Sequence, residues 1–108
     1  MKDSGQPFPT AFFCECDYIA ISAIKALGEL GFSIPEDVSV IGFDNINESQ
    51  IVAPELTTVH VEKERMAAWA VDLFTASLHR QPAVSTKVKV DTLFIERASC
   101  RRLEPSAD

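Results

Sequence analysis

The run Val-Ser-Val-Ile-Gly-Phe-Asp-Asn at 38–45 constrains this chain more than any other stretch. Val38, Val40, Ile41 and Phe43 are β-branched or aromatic and suit a buried, pleated strand. Gly42 permits close backbone approach, and Asp44-Asn45 brings turn chemistry where the apolar run ends. Such a strand delivers a carboxylate to its own carboxyl edge. In open parallel α/β sheets ligands bind outside that edge, so Asp44 reads either as a turn opener or as a ligand group.

The preceding residues supply the partner of that strand. Residues 10–14, Thr-Ala-Phe-Phe-Cys, form a short continuous apolar run, the pattern of a strand buried on both faces of a parallel sheet. Asp17 stands where a helix N-cap belongs. Ala20, Ala23, Ile24, Leu27 and Leu30 then make one stripe of a helix that Gly31 stops. Ile21 lies off the stripe, about 100° round from Ala20 at 3.6 residues per turn, and reads as an ordinary exposed residue or as an interface anchor. Strand, helix and strand in this order form a βαβ unit with a parallel pair and a right-handed crossover. Asp17 and Asp44 therefore leave one edge of one sheet.

Further along, 46–54 reads as a loop or short helical turn ending in the apolar Ile51-Val52-Ala53, and 56–61 as a third strand. Residues 62–80 read as a second helix with Met66, Ala70, Leu73, Phe74 and Leu78 on its apolar side, ended by Gln81-Pro82. Residues 87–90 alternate charge and valine, as in an edge strand wet on one face. Residues 93–98 read as another short strand, 99–108 as a polar tail, and 1–9 as a polar loop or the end of an earlier element. The expected class is α/β, with a parallel βαβ sheet in three layers.

Composition narrows the function. The 108 residues make one domain's worth of chain, and a net charge of -6 is repelled by phosphate backbones, which argues against nucleic-acid or anionic-membrane binding by this chain alone. No apolar run approaches the roughly 20 residues of a membrane span, and the N-terminus has no hydrophobic core of a secretory signal, so a cytoplasmic location is expected. Cys14, Cys16 and Cys100 are odd in number, which favours free thiols in a reducing compartment. Cys14-x-Cys16 has one intervening residue where structural zinc sites have two to four. His60 and His79 fall in different elements, so neither a metal nor another cofactor is expected. Trp69, the single tryptophan, is expected to pack against the helix's neighbours.

The order of landmarks resembles a known family. Pro9-Thr10-Ala11-Phe12-Phe13-Cys14-x-x-Asp17 is followed by Ala20-Ile21-x-Ala23-Ile24-Lys25-Ala26-Leu27-x-Glu29-Leu30-Gly31, then by Ile34 through Asn45, then by Pro54-x-Leu56-Thr57-Thr58-Val59. This succession, covering about 10–100, resembles the C-terminal part of lactose-repressor (LacI/GalR) family regulators. The resemblance implies an effector-binding core related to periplasmic sugar-binding proteins, with two α/β lobes and a ligand cleft between them. It implies that Asp44 accepts hydrogen bonds from ligand hydroxyls, with Cys16 and Asp17 beside it as ligand contacts. Cys16 matches a position that is commonly Asn, so a thiol replaces an amide there and a less polar effector becomes plausible.

The same resemblance places Ile21 and the segment with Ile51 and Val52 against a second subunit, as a homodimer interface. It makes 61–63 a crossing between lobes, so that 1–60 and about 86–108 belong to the C-terminal lobe and about 61–85 to a helix of the N-terminal lobe. The family's helix-turn-helix and first lobe are not represented, and the chain reads as the back part of a longer regulator that reaches DNA only through absent N-terminal residues. The function implied is effector sensing, of a sugar-like small molecule, and dimerisation within a transcriptional repressor. An extracytoplasmic sugar-binding protein of the same fold is one alternative. An enzyme using Asp17, Asp44 and a nucleophilic Cys16 is another.

Overall fold

A computed structural model describes residue 5, residues 7–79 and residues 85–105 of the chain. The proposed helix stop at Gln81-Pro82 lies outside the described residues. Element order is β1 (Ala11–Phe13), α1 (Asp17–Glu29), β2 (Ser39–Ile41), a 3-10 turn over Asn47–Gln50, β3 (Thr58–His60), α2 (Lys63–Ser77) and β4 (Leu93–Ile95).

β1 and β2 pair in parallel with Ala11 opposite Ser39 and Phe13 opposite Ile41, as a βαβ unit requires. β2 continues into β3 through the parallel bridges Ile41–Thr57 and Asp44–His60. β4 runs antiparallel to β3, with Thr58 opposite Ile95 and His60 opposite Leu93. The sheet thus reads β1-β2-β3-β4, and its first three strands point their carboxyl ends the same way.

The core lies between α1 and one face of this sheet. Ala20, Ile24 and Leu27, spaced four and three residues apart, bury one helix stripe against Cys14, Val38, Val40 and Leu56. The helix ends in paired backbone bonds, Phe32 N to Leu27 O at 2.9 Å and Gly31 N to Gly28 O at 3.1 Å, with Gly31 at φ 93°. That left-handed residue is what glycine allows without steric cost. Ile21 is half-buried and packs against the core cluster rather than standing exposed.

Several expectations need correction. Phe13 is 68% exposed, so β1 is covered on one face only: α1 packs on that face, and no described element packs on the other. Residues 87–90 form no strand; β3 takes β4 as its neighbour instead. The segment after β4 is no polar tail. Ser99 is fully buried, its carbonyl accepts from Val40 N at 2.9 Å, and its hydroxyl accepts from Thr57 N at 2.8 Å while donating to Val40 O at 2.5 Å. It completes the ladder of β2 just where β3 has not yet begun.

α2 stands apart from the rest. None of its residues is buried, and Met66, Phe74 and Leu78 are open to solvent. Among the described residues α1 and the sheet make two layers, and α2 does not close a third.

Candidate functional site

The carboxyl ends of β1, β2 and β3 bring together the residues that follow them: Cys16 and Asp17, Asp44 and Asn45, and His60 to Lys63. The sequence arranges this by placing polar residues within three positions of the end of each short strand. The chain turns sharply at Asp44 and Asn45, at φ 124° and 62°, both in the left-handed half of conformational space. Asn and Asp tolerate that region better than other side chains. The turn is tied down by Asp44 N donating to Val59 O at 2.8 Å.

Asp44 is half-exposed at the sheet edge. Lys63 Nζ sits 2.8 Å from its Oδ1 and donates to its backbone carbonyl at 2.7 Å, so one cation clips the start of α2 to the end of β2. A carboxylate has room for further donors beside one lysine. A cleft of about 310 Å³ lies over the β3–α2 connection, lined by His60, Val61, Glu62, Lys63 and Glu64; Asp44 is not among its lining residues.

Asp17 takes a different place from the one expected. Cys16, not Asp17, is the N-cap of α1, and neither residue caps the helix with its side chain. Asp17 is completely buried: Oδ1 accepts from the Thr58 hydroxyl at 2.6 Å and Oδ2 from Ile46 N at 2.8 Å. Two partners, one from β3 and one from the loop after β2, hold the carboxylate inward, away from the N-cap position of its own helix. Gly42 makes room for it, since a Cβ there would meet both the Asp17 carboxylate and Leu56. Asp17 therefore ties the first turn of α1 to the start of β3 and to the loop after β2.

Cys16 is half-buried beside this edge, and all three thiols are free. Burial, with the nearby Cys16 adding to it, pushes the Cys14 thiol above its ordinary pKa. Among the described residues no three of His, Cys, Asp and Glu gather in a way that would hold a metal ion.

A second layer of polar residues was not foreseen. Arg97, just past β4, donates from Nη2 to Asn45 Oδ1 at 2.7 Å and from Nη1 to Ser49 Oγ at 2.7 Å and Leu56 O at 3.0 Å. Asn45 Nδ2 lies 2.9 Å from His60 Nδ1, and His60 Nε2 faces Glu62 Oε1 at 3.8 Å. The only signal for this in sequence is a lone arginine closing an apolar strand, opposite a Thr-Thr pair that a purely apolar core would not use.

Of the residues expected at a subunit contact, Ile51 is 79% exposed, while Val52 and Ile21 are half-buried against the core. Trp69 is half-exposed rather than packed. It lines a groove of about 430 Å³ with Arg65, Lys89, Asp91 and Leu93, because the face of α2 that carries it meets only the extended segment before β4. No helix of the described residues is long and apolar enough to cross a membrane.

Comparison with known proteins adds to this geometry. Residues 1–100 match the family of periplasmic binding protein-like domains. The HTH-type transcriptional repressor PurR of Glaesserella parasuis is 41% identical over 101 aligned residues, a match that takes in 88% of this chain and 30% of that repressor. A LacI-type transcriptional regulator from Bacillus cereus superposes with a TM-score of 0.86 at 27% identity, over 93% of this chain and 35% of that one. A LacI family regulator from Enterococcus faecalis, solved with bound ribose, superposes with a TM-score of 0.83 at 29% identity, over 92% and 37%. The chain thus spans about a third of the length of these relatives.

Proposed function

This chain belongs to the LacI/GalR branch of the periplasmic-binding-protein-like family, and from that premise we propose that it is the effector-sensing part of a transcriptional repressor. The observation that carries the reading is Asp44: a half-exposed carboxylate held in a strained turn at the carboxyl edge of a parallel sheet. A small polyhydroxylated effector, a sugar in the first instance, donates to Asp44 and lies against Cys16. Asp17 supports the pair from beneath. The ribose found in the Enterococcus faecalis regulator supports this class of ligand.

Residues 1–60 and about 86–108 then form one lobe, 61–63 cross to the other, and α2 belongs there. Effector binding acts by favouring one lobe arrangement over another, to the extent of its differential affinity for the two. The working unit is a cytoplasmic homodimer that uses Ile51, Val52 and Ile21 at its contact and reaches DNA through residues outside this chain. Cys16 is a contact and not a nucleophile: the histidine at the sheet edge, His60, is engaged with Asn45 and Glu62.

Calorimetric titration with neutral sugars, ribose first, tests the reading. Asp44→Ala removes a charge-assisted hydrogen bond and lowers affinity by about 10- to 100-fold, with an unchanged circular dichroism spectrum. Binding retained in the variant, alongside a large loss of stability, overturns the assignment.

A further inference from the structure

The polar chain from Arg97 to Glu62 fixes the position of a proton. A guanidinium carries only donors, so the Asn45 atom facing Arg97 Nη2 at 2.7 Å is the amide oxygen. Ser49 Oγ also reaches that oxygen at 3.0 Å, dividing its one proton between it and Ile46 O at 2.6 Å. The other amide atom, Nδ2, has only N–H to offer, and it lies 2.9 Å from His60 Nδ1. Nδ1 must therefore accept. A neutral imidazole with a bare Nδ1 carries its proton on Nε2, and Nε2 faces the carboxylate of Glu62, the residue that opens α2.

We propose that Asn45, held by Arg97, is a positioning residue for the connection between β3 and α2, acting by fixing His60 as the Nε2–H tautomer with that N–H turned toward Glu62. Its consequence for effector sensing rests on reading 61–63 as the crossing between lobes; the proton assignment does not. Lys63 holding Asp44 ties the start of α2 to the turn after β2 directly. Asn45 holding His60 ties the same turn to the end of β3, with Glu62 Oε1 3.8 Å from Nε2, beyond hydrogen-bond reach.

The test is long-range nitrogen–proton correlation on the full ¹⁵N-labelled chain at neutral pH with no sugar present, His79→Gln serving to assign the two rings. Wild-type His60 is expected to carry a proton on Nε2 alone. Asn45→Asp keeps the shape and the tolerance of positive φ but puts an oxygen where the N–H was, so a proton is expected on Nδ1. A proton on Nδ1 in the wild type, as the other tautomer or as imidazolium, overturns the proposal. So does a bare Nδ1 in Asn45→Asp. Amide exchange across 61–64 is expected to be several-fold faster in Asn45→Ala than in wild type, with α1 unaltered, and equal exchange removes the positioning role. A chain that passes these tests and binds no sugar leaves the proposal standing and retires the effector reading.

Discussion

The Thr58 hydroxyl donates to the Asp17 carboxylate at 2.6 Å with both residues fully buried, joining the start of β3 to the first turn of α1 across 41 residues of sequence. Asp17→Ala leaves that hydroxyl and the Ile46 N–H without an acceptor. Stranding a fully buried hydroxyl and a half-buried N–H costs on the order of 2–3 kcal/mol in total. Urea denaturation followed by circular dichroism checks it, and a midpoint shift too small for that loss removes Asp17 from its structural role.

Gly42→Ala places a methyl group where the Asp17 carboxylate and Leu56 already stand. The neighbours are a buried carboxylate held at both oxygens and a core leucine, so neither gives way easily. Overpacking of this kind costs roughly 1–3 kcal/mol. The thermal midpoint falls accordingly, and an unchanged midpoint shows that the α1–β3 junction can open without penalty.

Cys14 reacts more slowly with iodoacetamide than Cys16 or Cys100. Its thiol pKa is raised by burial first and by Cys16 second, so at a given pH it holds less thiolate, the reacting form. The sign also sets a pH dependence. Because burial raises the folded thiol pKa above its ordinary value, the stabilising contribution is fully present below that ordinary value. It is lost as pH rises through the folded pKa. Peptide mapping after timed alkylation checks the order of reaction.

If the chain works as the homodimer proposed above, Ile51→Glu is expected to weaken self-association without harming the fold, since Ile51 is 79% exposed and contributes nothing to the core. Ile21→Glu is a poorer probe because Ile21 is half-buried against the core and its loss disturbs folding as well. Sedimentation of the two variants separates the effects: an Ile51→Glu profile identical to wild type places the subunit contact elsewhere.

The elements that were legible in sequence are those set by local period. Most of the stripe on α1, the left-handed stop at Gly31 and the strand that leads to Asp44 depend on neighbours a few residues away and lie where their patterns indicate, except that Leu30, expected on the stripe, is 43% exposed past the helix end and β2 itself stops at Ile41. What escaped the sequence depends on distant partners. Asp17 looks like a cap, and only Thr58 and Ile46, 41 and 29 residues on, turn it inward. Ser99 looks like the start of a tail until Thr57 and Val40 meet it. Arg97 acquires its meaning from Asn45, 52 residues earlier. The valines of 87–90 alternate as a strand does, but alternation specifies a face and not a partner, and β3 pairs with 93–95 instead.

α2 has a calorimetric consequence. Unfolding normally raises heat capacity by about 12–15 cal/mol/K per residue, because apolar groups pass from the interior into water. None of the 15 residues of α2 is buried, so Phe74, with Leu78 just past the helix, is largely wet and Trp69 about half wet before unfolding begins. They add little to that increment. The chain in solution should therefore show the heat capacity of a protein smaller than its length. Any surface that later covers α2 should announce itself as a negative heat-capacity change on association.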